Sequence, residues 1–226
     1  MTATPTSAPF HGFFLAVGGQ TRKVGKSALI VDILKAFPDR NWTGVKITPY
    51  AESGCPLNGA TCNCGSNEHL YVMHSETQHE GKTDSSRFLA AGARRALWLQ
   101  TKEGQLEAAL PALADELKRG HAYRAGARTA HAIIESDALV KFWNPSLFLM
   151  VLDPANPDFK NSARENLARA DAFVLRSPQD AQAQNSHTHR FLQPALIELP
   201  AKSKFLHPLG APMPQDLRQF LSGSIP

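Results

Sequence analysis

The segment Gly18-Gly19-Gln20-Thr21-Arg22-Lys23-Val24-Gly25-Lys26-Ser27 carries the residue types that bind phosphate. It follows the apolar run Phe13-Phe14-Leu15-Ala16-Val17 and opens a helical pattern, giving the order strand, glycine loop, helix. Small residues let backbone N–H groups turn toward an anion, and the new helix adds the positive end of its dipole. A lysine then reaches the β- and γ-phosphate oxygens while a hydroxyl ligates Mg2+, roles that Lys26 and Ser27 fit. Gly19, Val24, Gly25 and Ala28 complete the expected nucleotide-binding stretch. The loop is one residue longer than the common Walker A form, because the position five before Gly25 is Gln20 and the glycine lies at Gly19. Arg22 and Lys23 either touch phosphate or face water.

Phosphoryl chemistry also needs a carboxylate for Mg2+ at the end of a buried strand. Two apolar runs end in one: Ile133-Ile134-Glu135 and Leu149-Met150-Val151-Leu152-Asp153. By pattern alone Asp153 is the cleaner match, whereas Glu135 is followed by Ser136-Asp137, which offers further oxygens; either acid could equally cap a helix. Lys46 stands near the carboxyl end of the strand-like run Trp42-Thr43-Gly44-Val45-Lys46-Ile47-Thr48. Ligands gather at that edge of an open parallel sheet, so Lys46 faces phosphate, a second substrate or solvent. All three cysteines, Cys55, Cys62 and Cys64, fall within one stretch, with His69, His74 and His79 after them. Three thiolates and an imidazole would complete a tetrahedral Zn2+ site, although the paired CxxC spacing is missing; the alternatives are reduced thiols in a mobile flap or a disulfide.

These residues need strands and helices to hold them. Leu29, Ile30, Ile33, Leu34 and Phe37 recur at helical spacing up to Pro38, which predicts the helix behind the phosphate loop. Pro49 to Gly81 has no clear periodicity and is too long for a simple connector. Beyond it the chain predicts a short helix over Asp84 to Gly92, a strand over Arg95 to Thr101 and a helix over Gly104 to Gly120 that contains Pro111. Strands follow at Ala130 to Glu135, Leu147 to Leu152 and Ala172 to Leu175, with a helix near Lys160 to Ala170. The remainder holds a candidate strand at Ala195 to Leu199, a proline-rich stretch and a last helix near Gln215 to Leu221. Strands alternating with helices imply a mainly parallel sheet covered on both faces.

With 226 residues the chain is long enough for one sizeable core and short for two. The expectation is one three-layer α/β P-loop NTPase domain over residues 13–226, with a loose tail over residues 1–12 and a Cys/His-rich insertion at about 50–81. The net charge of +4 comes from scattered lysines and arginines, which excludes a nucleic-acid or lipid surface as the main expectation. No apolar run approaches the roughly 20 residues of a membrane helix, and the N-terminus lacks the pattern of a signal peptide, so a cytoplasmic protein is expected.

The phosphate loop, Lys46, the segment Gly81-Lys82-Thr83-Asp84-Ser85-Ser86-Arg87 leading into Ala90-Ala91-Gly92-Ala93, and Ile133-Ile134-Glu135 occur in one order. Together they resemble the molybdopterin-guanine dinucleotide biosynthesis adaptor family, over residues 13 to 177. The resemblance implies a GTP-binding P-loop protein of molybdenum cofactor maturation. The longer glycine loop ending Val24-Gly25-Lys26-Ser27, the strand-end Lys46 and the Glu-ending strand are also similar to dethiobiotin synthetase, which implies ATP-dependent chemistry on a small molecule. In both families the acid corresponding by order is Glu135 rather than Asp153.

Residues and resemblance together imply Mg2+-dependent binding of ATP or GTP and its hydrolysis. Lys26, Glu135 and Lys46 are the catalytic candidates; Ser27 and Glu135, or Asp153, hold Mg2+; Asp84 and Lys46 face a second ligand. Arg176-Ser177-Pro178 stands where many relatives carry NKxD, so the base is open. The expected partners are a nucleoside triphosphate, a second small molecule or a metalloenzyme or cofactor-maturation protein, and a second copy in a homodimer.

Overall fold

The computed structural model of the chain describes residues 5–8, 12–50, 70–121, 130–176 and 199–226. Its first half runs β1 (Thr6–Ser7), β2 (Gly12–Gly19), α1 (Lys26–Ala36), β3 (Trp42–Tyr50), β4 (Tyr71–Ser75), α2 (Asp84–Ala90), β5 (Arg95–Lys102) and α3 (Leu106–His121). The second half runs β6 (Ala130–Glu135), β7 (Trp143–Asn144), β8 (Leu147–Leu152), α4 (Asn161–Asn166), β9 (Ala172–Arg176), β10 (Ser203–His207) and α5 (Gln215–Ser224).

Eight strands form one sheet in the order β10-β9-β8-β2-β6-β3-β5-β4, and every neighbouring pair is parallel except β4 with β5. Parallel strands are buried on both faces, which is why β2 and β8 read as unbroken apolar runs. On one face Leu15, Val17 and Ile133 pack with Leu29 and Ile33 of α1, Phe88 of α2 and Leu217 of α5. On the other, Phe14, Ala16 and Ile134 pack with Leu113 and Leu117 of α3 and Ala163 of α4. The fold is therefore the expected three-layer α/β arrangement. Strand β2 lies between β6 and β8, so the sheet changes winding direction at its carboxyl end, where open α/β sheets place their ligands.

Several elements depart from the sequence expectation. Within the stretch expected to be a loose tail, Thr6–Ser7 pairs parallel with Trp143–Asn144. Within the expected insertion, Tyr71–Ser75 is the antiparallel edge strand β4, which its weak alternation did not signal. In the stretch read as proline-rich, Ser203–His207 is a strand on β9, short and flanked by Pro200 and Pro208. Pro111 lies inside α3, a single helix over Leu106–His121, which starts two residues after the expected Gly104. The cysteines Cys55, Cys62 and Cys64, His69 and most of the candidate strand at 195–199 lie outside the described residues. Among the described residues, no helix is long and apolar enough to cross a membrane.

Two packing details fix helices relative to the sheet tips. Gly44 of β3 leaves room for the buried Phe88: a Cβ there would sit 3.0 Å from its Cδ2 and 3.1 Å from its Cβ, so the glycine seats α2 close to β3. Asp32 of α1 accepts a hydrogen bond from the Gly210 amide at 3.0 Å, and its Oδ2 lies 2.9 Å from Nε2 of the fully buried His207. That bond fastens the turn after β10 to the helix behind the loop.

Candidate functional site

Between the tip of β2 and α1 the chain turns through two left-handed residues, Lys23 (φ 63°) and Gly25 (φ 114°). Glycine is required at 25 twice over, by that φ and because a Cβ there would lie 2.1 Å from Leu209 Cδ1. Gly19 is equally confined, since its Cβ would meet Val24 Cγ1 at 2.6 Å and Lys26 Cγ at 3.0 Å. The loop therefore closes tightly on itself around the buried Val24. Lys26 Nζ donates to the Thr21 carbonyl at 3.0 Å, spanning the loop, and stands 3.7 Å from Asp137 Oδ2. Ala28 follows in the first turn of α1.

Sheet register assembles the second half of the site. Glu135 is the Cα partner of Val17 in β2 and of Lys46 in β3, so parallel pairing alone brings acid and lysine to adjacent strand tips. Ser27, at the start of α1, donates from Oγ to Glu135 Oε2 at 2.5 Å. Lys46 Nζ donates to Glu135 Oε1, reaches Ser27 Oγ at 3.4 Å and pairs with Asp84 Oδ2 at 3.0 Å. Glu135 is only 4% exposed, so its charge needs these partners: an ion taken out of water is stable only when paired and hydrogen-bonded.

Asp84 is delivered by a well-made helix start. Thr83 caps α2 by accepting from the Ser86 amide at 3.1 Å, and Ser86 Oγ accepts from the Thr83 amide at 2.9 Å. Glu76 ties the approach to this turn, accepting from the amides of Thr77 and Gln78 and from the hydroxyls of Thr83 and Ser85. The Gln78 amide holds the Glu76 carboxyl below its ordinary value, with smaller help from Ser85, Thr83 and Thr77 and some opposition from burial.

The two acids proposed for Mg2+ have different surroundings. Glu135 meets Ser27, whereas the Asp153 carboxylate accepts from the Ala155 amide at 3.0 Å and lies 3.7 Å from Arg176 Nη1. Asp153 thus serves the turn after β8 and caps no helix, since α4 starts at Asn161. Of the histidines after the cysteines, His74 lies against the Trp98 ring at 5.8 Å and His79 is exposed. Among the described residues no group of three or more His, Cys, Asp or Glu side chains is placed to hold a metal ion.

Three residues that sequence reasoning did not select also meet here. Gln20, 2% exposed, donates from Nε2 to the carbonyls of Asn156 and Asp158 at 2.7 Å each, and its Oε1 accepts from the Asp153 amide at 2.8 Å. Its place in the loop where a glycine is usual was the one signal. Asp137 accepts from the Gly19 amide at 2.6 Å, an approach that glycine at 18 permits, since a Cβ there would be 2.9 Å from the carboxylate. Lys160 donates its main-chain N–H to the Gln20 carbonyl at 3.1 Å. Burial lowers the Lys160 pKa, Lys26 and Arg22 lower it further, and Asp137 opposes them. Local sequence offered Asp137 only as a further oxygen after Glu135 and did not mark Lys160; strand order and the β8–α4 connection bring both to the loop.

Strand, glycine loop and helix thus meet at the winding switch of a mainly parallel sheet. No protein-family profile matches the chain, and no curated protein matches it by sequence. Among solved structures, it is similar to "apo" form LpxK from Aquifex aeolicus in complex with ATP, at 14% identity and a TM-score of 0.48 over 90% of this chain. It is also similar to HypB from Helicobacter pylori in complex with nickel, at 16% identity and a TM-score of 0.49 over 94% of this chain and 86% of that one. The chain spans 56% of the length of the LpxK chain.

Proposed function

We propose that the chain binds a nucleoside triphosphate with Mg2+ at residues 19–28 and hydrolyses it, as a cofactor-maturation or regulatory NTPase. The observation that carries this reading is the contact of Ser27 with Glu135 at the mouth of the glycine loop, with Lys46 on the same pair. A hydroxyl and a carboxylate are hard oxygen donors and fit Mg2+. Ser27 and Glu135 would hold the ion, which would supply positive charge against the phosphates. Lys26 leaves the Thr21 carbonyl for the β- and γ-phosphates, and the loop amides receive the remaining oxygens. The adaptor-like order of motifs supports a role in molybdenum cofactor maturation, with slow turnover alone and faster turnover with a partner protein. The cysteine stretch would bring Zn2+ chemistry to that partner.

A second reading, an ATP-dependent synthetase or kinase for a small molecule, is favoured by the bridge from Lys46 to both Glu135 and Asp84. That bridge sets an ammonium and a partly exposed carboxylate beside the phosphate loop, where an acceptor would enter.

One experiment tests both. ATP or GTP with Mg2+, at about a hundred times its dissociation constant, should stabilise the protein by about 2.7 kcal/mol, on the order of 5–10 °C in Tm. Lys26→Ala should abolish the shift, and an unchanged shift refutes the phosphate assignment. Phosphate release accelerated by cell extract supports the maturation reading. Release accelerated instead by a small carboxylate, amine or hydroxyl acceptor, and lost in Lys46→Ala, supports the synthetase or kinase.

A further inference from the structure

Burial and the like charges of Lys26 and Arg22 act on the Lys160 ammonium, and the Asp137 carboxylate opposes them. Lys26 already has Asp137 and the Thr21 carbonyl as partners. Lys160 is half-buried, and among the described residues its ammonium has no ion pair and no hydrogen bond. A half-buried cation repelled by two others is unfavourable unless an anion visits it.

The backbone beneath Lys160 is held firmly while its side chain keeps its freedom. Its amide is bonded to the Gln20 carbonyl within the phosphate loop. The buried Gln20 side chain binds the same connection at the carbonyls of Asn156 and Asp158 and at the Asp153 amide. These hydrogen bonds join loop and connection, and they set the Lys160 backbone beside the loop. The neighbours of its ammonium locate it further. Lys26 serves the β- and γ-phosphates, and Asp137 lies two residues beyond Glu135, on the Mg2+ side of the site.

Resting on the nucleotide reading above, we propose that Lys160 contacts the terminal phosphate and makes the site distinguish a nucleoside triphosphate from a diphosphate. The third phosphate brings the negative charge that relieves the repulsion among Lys26, Arg22 and Lys160, and a diphosphate ends short of it.

The test is titration calorimetry with Mg2+ and non-hydrolysable ATP and GTP analogues, ADP and GDP, on wild type, Lys160→Gln and Lys160→Arg. A hydrogen bond between charged groups predicts a loss of about ten-fold or more in triphosphate affinity for Lys160→Gln. Diphosphate affinity should change by less than about two-fold, which also shows that the variant is folded. Lys160→Arg should keep most of the preference, because the positive charge remains. Equal losses for tri- and diphosphate, or no loss for either, overturn the inference while the wild type still binds nucleotide. A wild type that binds none of the four overturns the nucleotide reading itself, and this inference with it.

Discussion

At the scale of single residues, the site depends on groups that are costly to bury alone. Glu135, Lys46, Asp84 and Ser27 satisfy one another, so each is a condition for the others being folded there. Glu76 plays a related part at a distance, holding the turn that presents Asp84. Its folded carboxyl lies below the ordinary 4.5, so its contribution to stability is fully present above that pH and is lost as pH falls through the lowered folded value. The stability gap between wild type and Glu76→Gln should therefore be constant near neutral pH and shrink below pH 4.5, as read from thermal midpoints across that range. A gap that does not narrow in acid would show that the hydrogen bonds to Glu76 do not depend on its charge.

At the scale of elements, the decisive contacts are those that bring helix starts to strand tips. Helix α2 approaches β3 because residue 44 has no side chain, and Phe88 fills the space. Gly44→Ala forces Phe88, which is fully buried, to give way by a few tenths of an ångström, and overpacking of this kind costs about 1–3 kcal/mol. Because Phe88 and Asp84 share one short helix, the same change should loosen the Lys46–Asp84 pair more than the Ser27–Glu135 contact. Urea unfolding should show the lost stability, and triphosphate affinity should fall less than acceptor-dependent turnover. A Gly44→Ala protein as stable as wild type would mean that α2 shifts freely.

At the scale of the whole molecule, the C-terminal segment is part of the same core as the glycine loop. Phe205, Leu217, Leu221 and Ile225 are buried with α1, and Leu209 lies against Gly25. Burying four such side chains contributes about 6–12 kcal/mol, at about 1.5–3 kcal/mol each. That is comparable with the whole stability of a typical domain, about 5–15 kcal/mol. Deletion of residues 203–226 should therefore leave a chain without cooperative thermal unfolding and without nucleotide-dependent stabilisation, measured by circular dichroism. A truncated protein that still melts cooperatively would place the core elsewhere.

The amino-acid sequence was enough for the loop, for most of the buried strands and for the helix behind the loop. Those depend on local patterns: unbroken apolar runs, glycines at a turn, apolar residues at helical spacing ended by Pro38. It offered two acids, Glu135 and Asp153, each at the end of an apolar run, and pairing register gives them different surroundings. Beside Lys46 and Val17, Glu135 meets Ser27, while Asp153 turns to Ala155 and Arg176. Strands β4 and β10 were illegible because short edge strands need only partial burial and leave little periodic signal. Gln20, Asp137 and Lys160 belong to the site through contacts between residues more than a hundred positions apart, and no window of sequence contains both ends of such a contact.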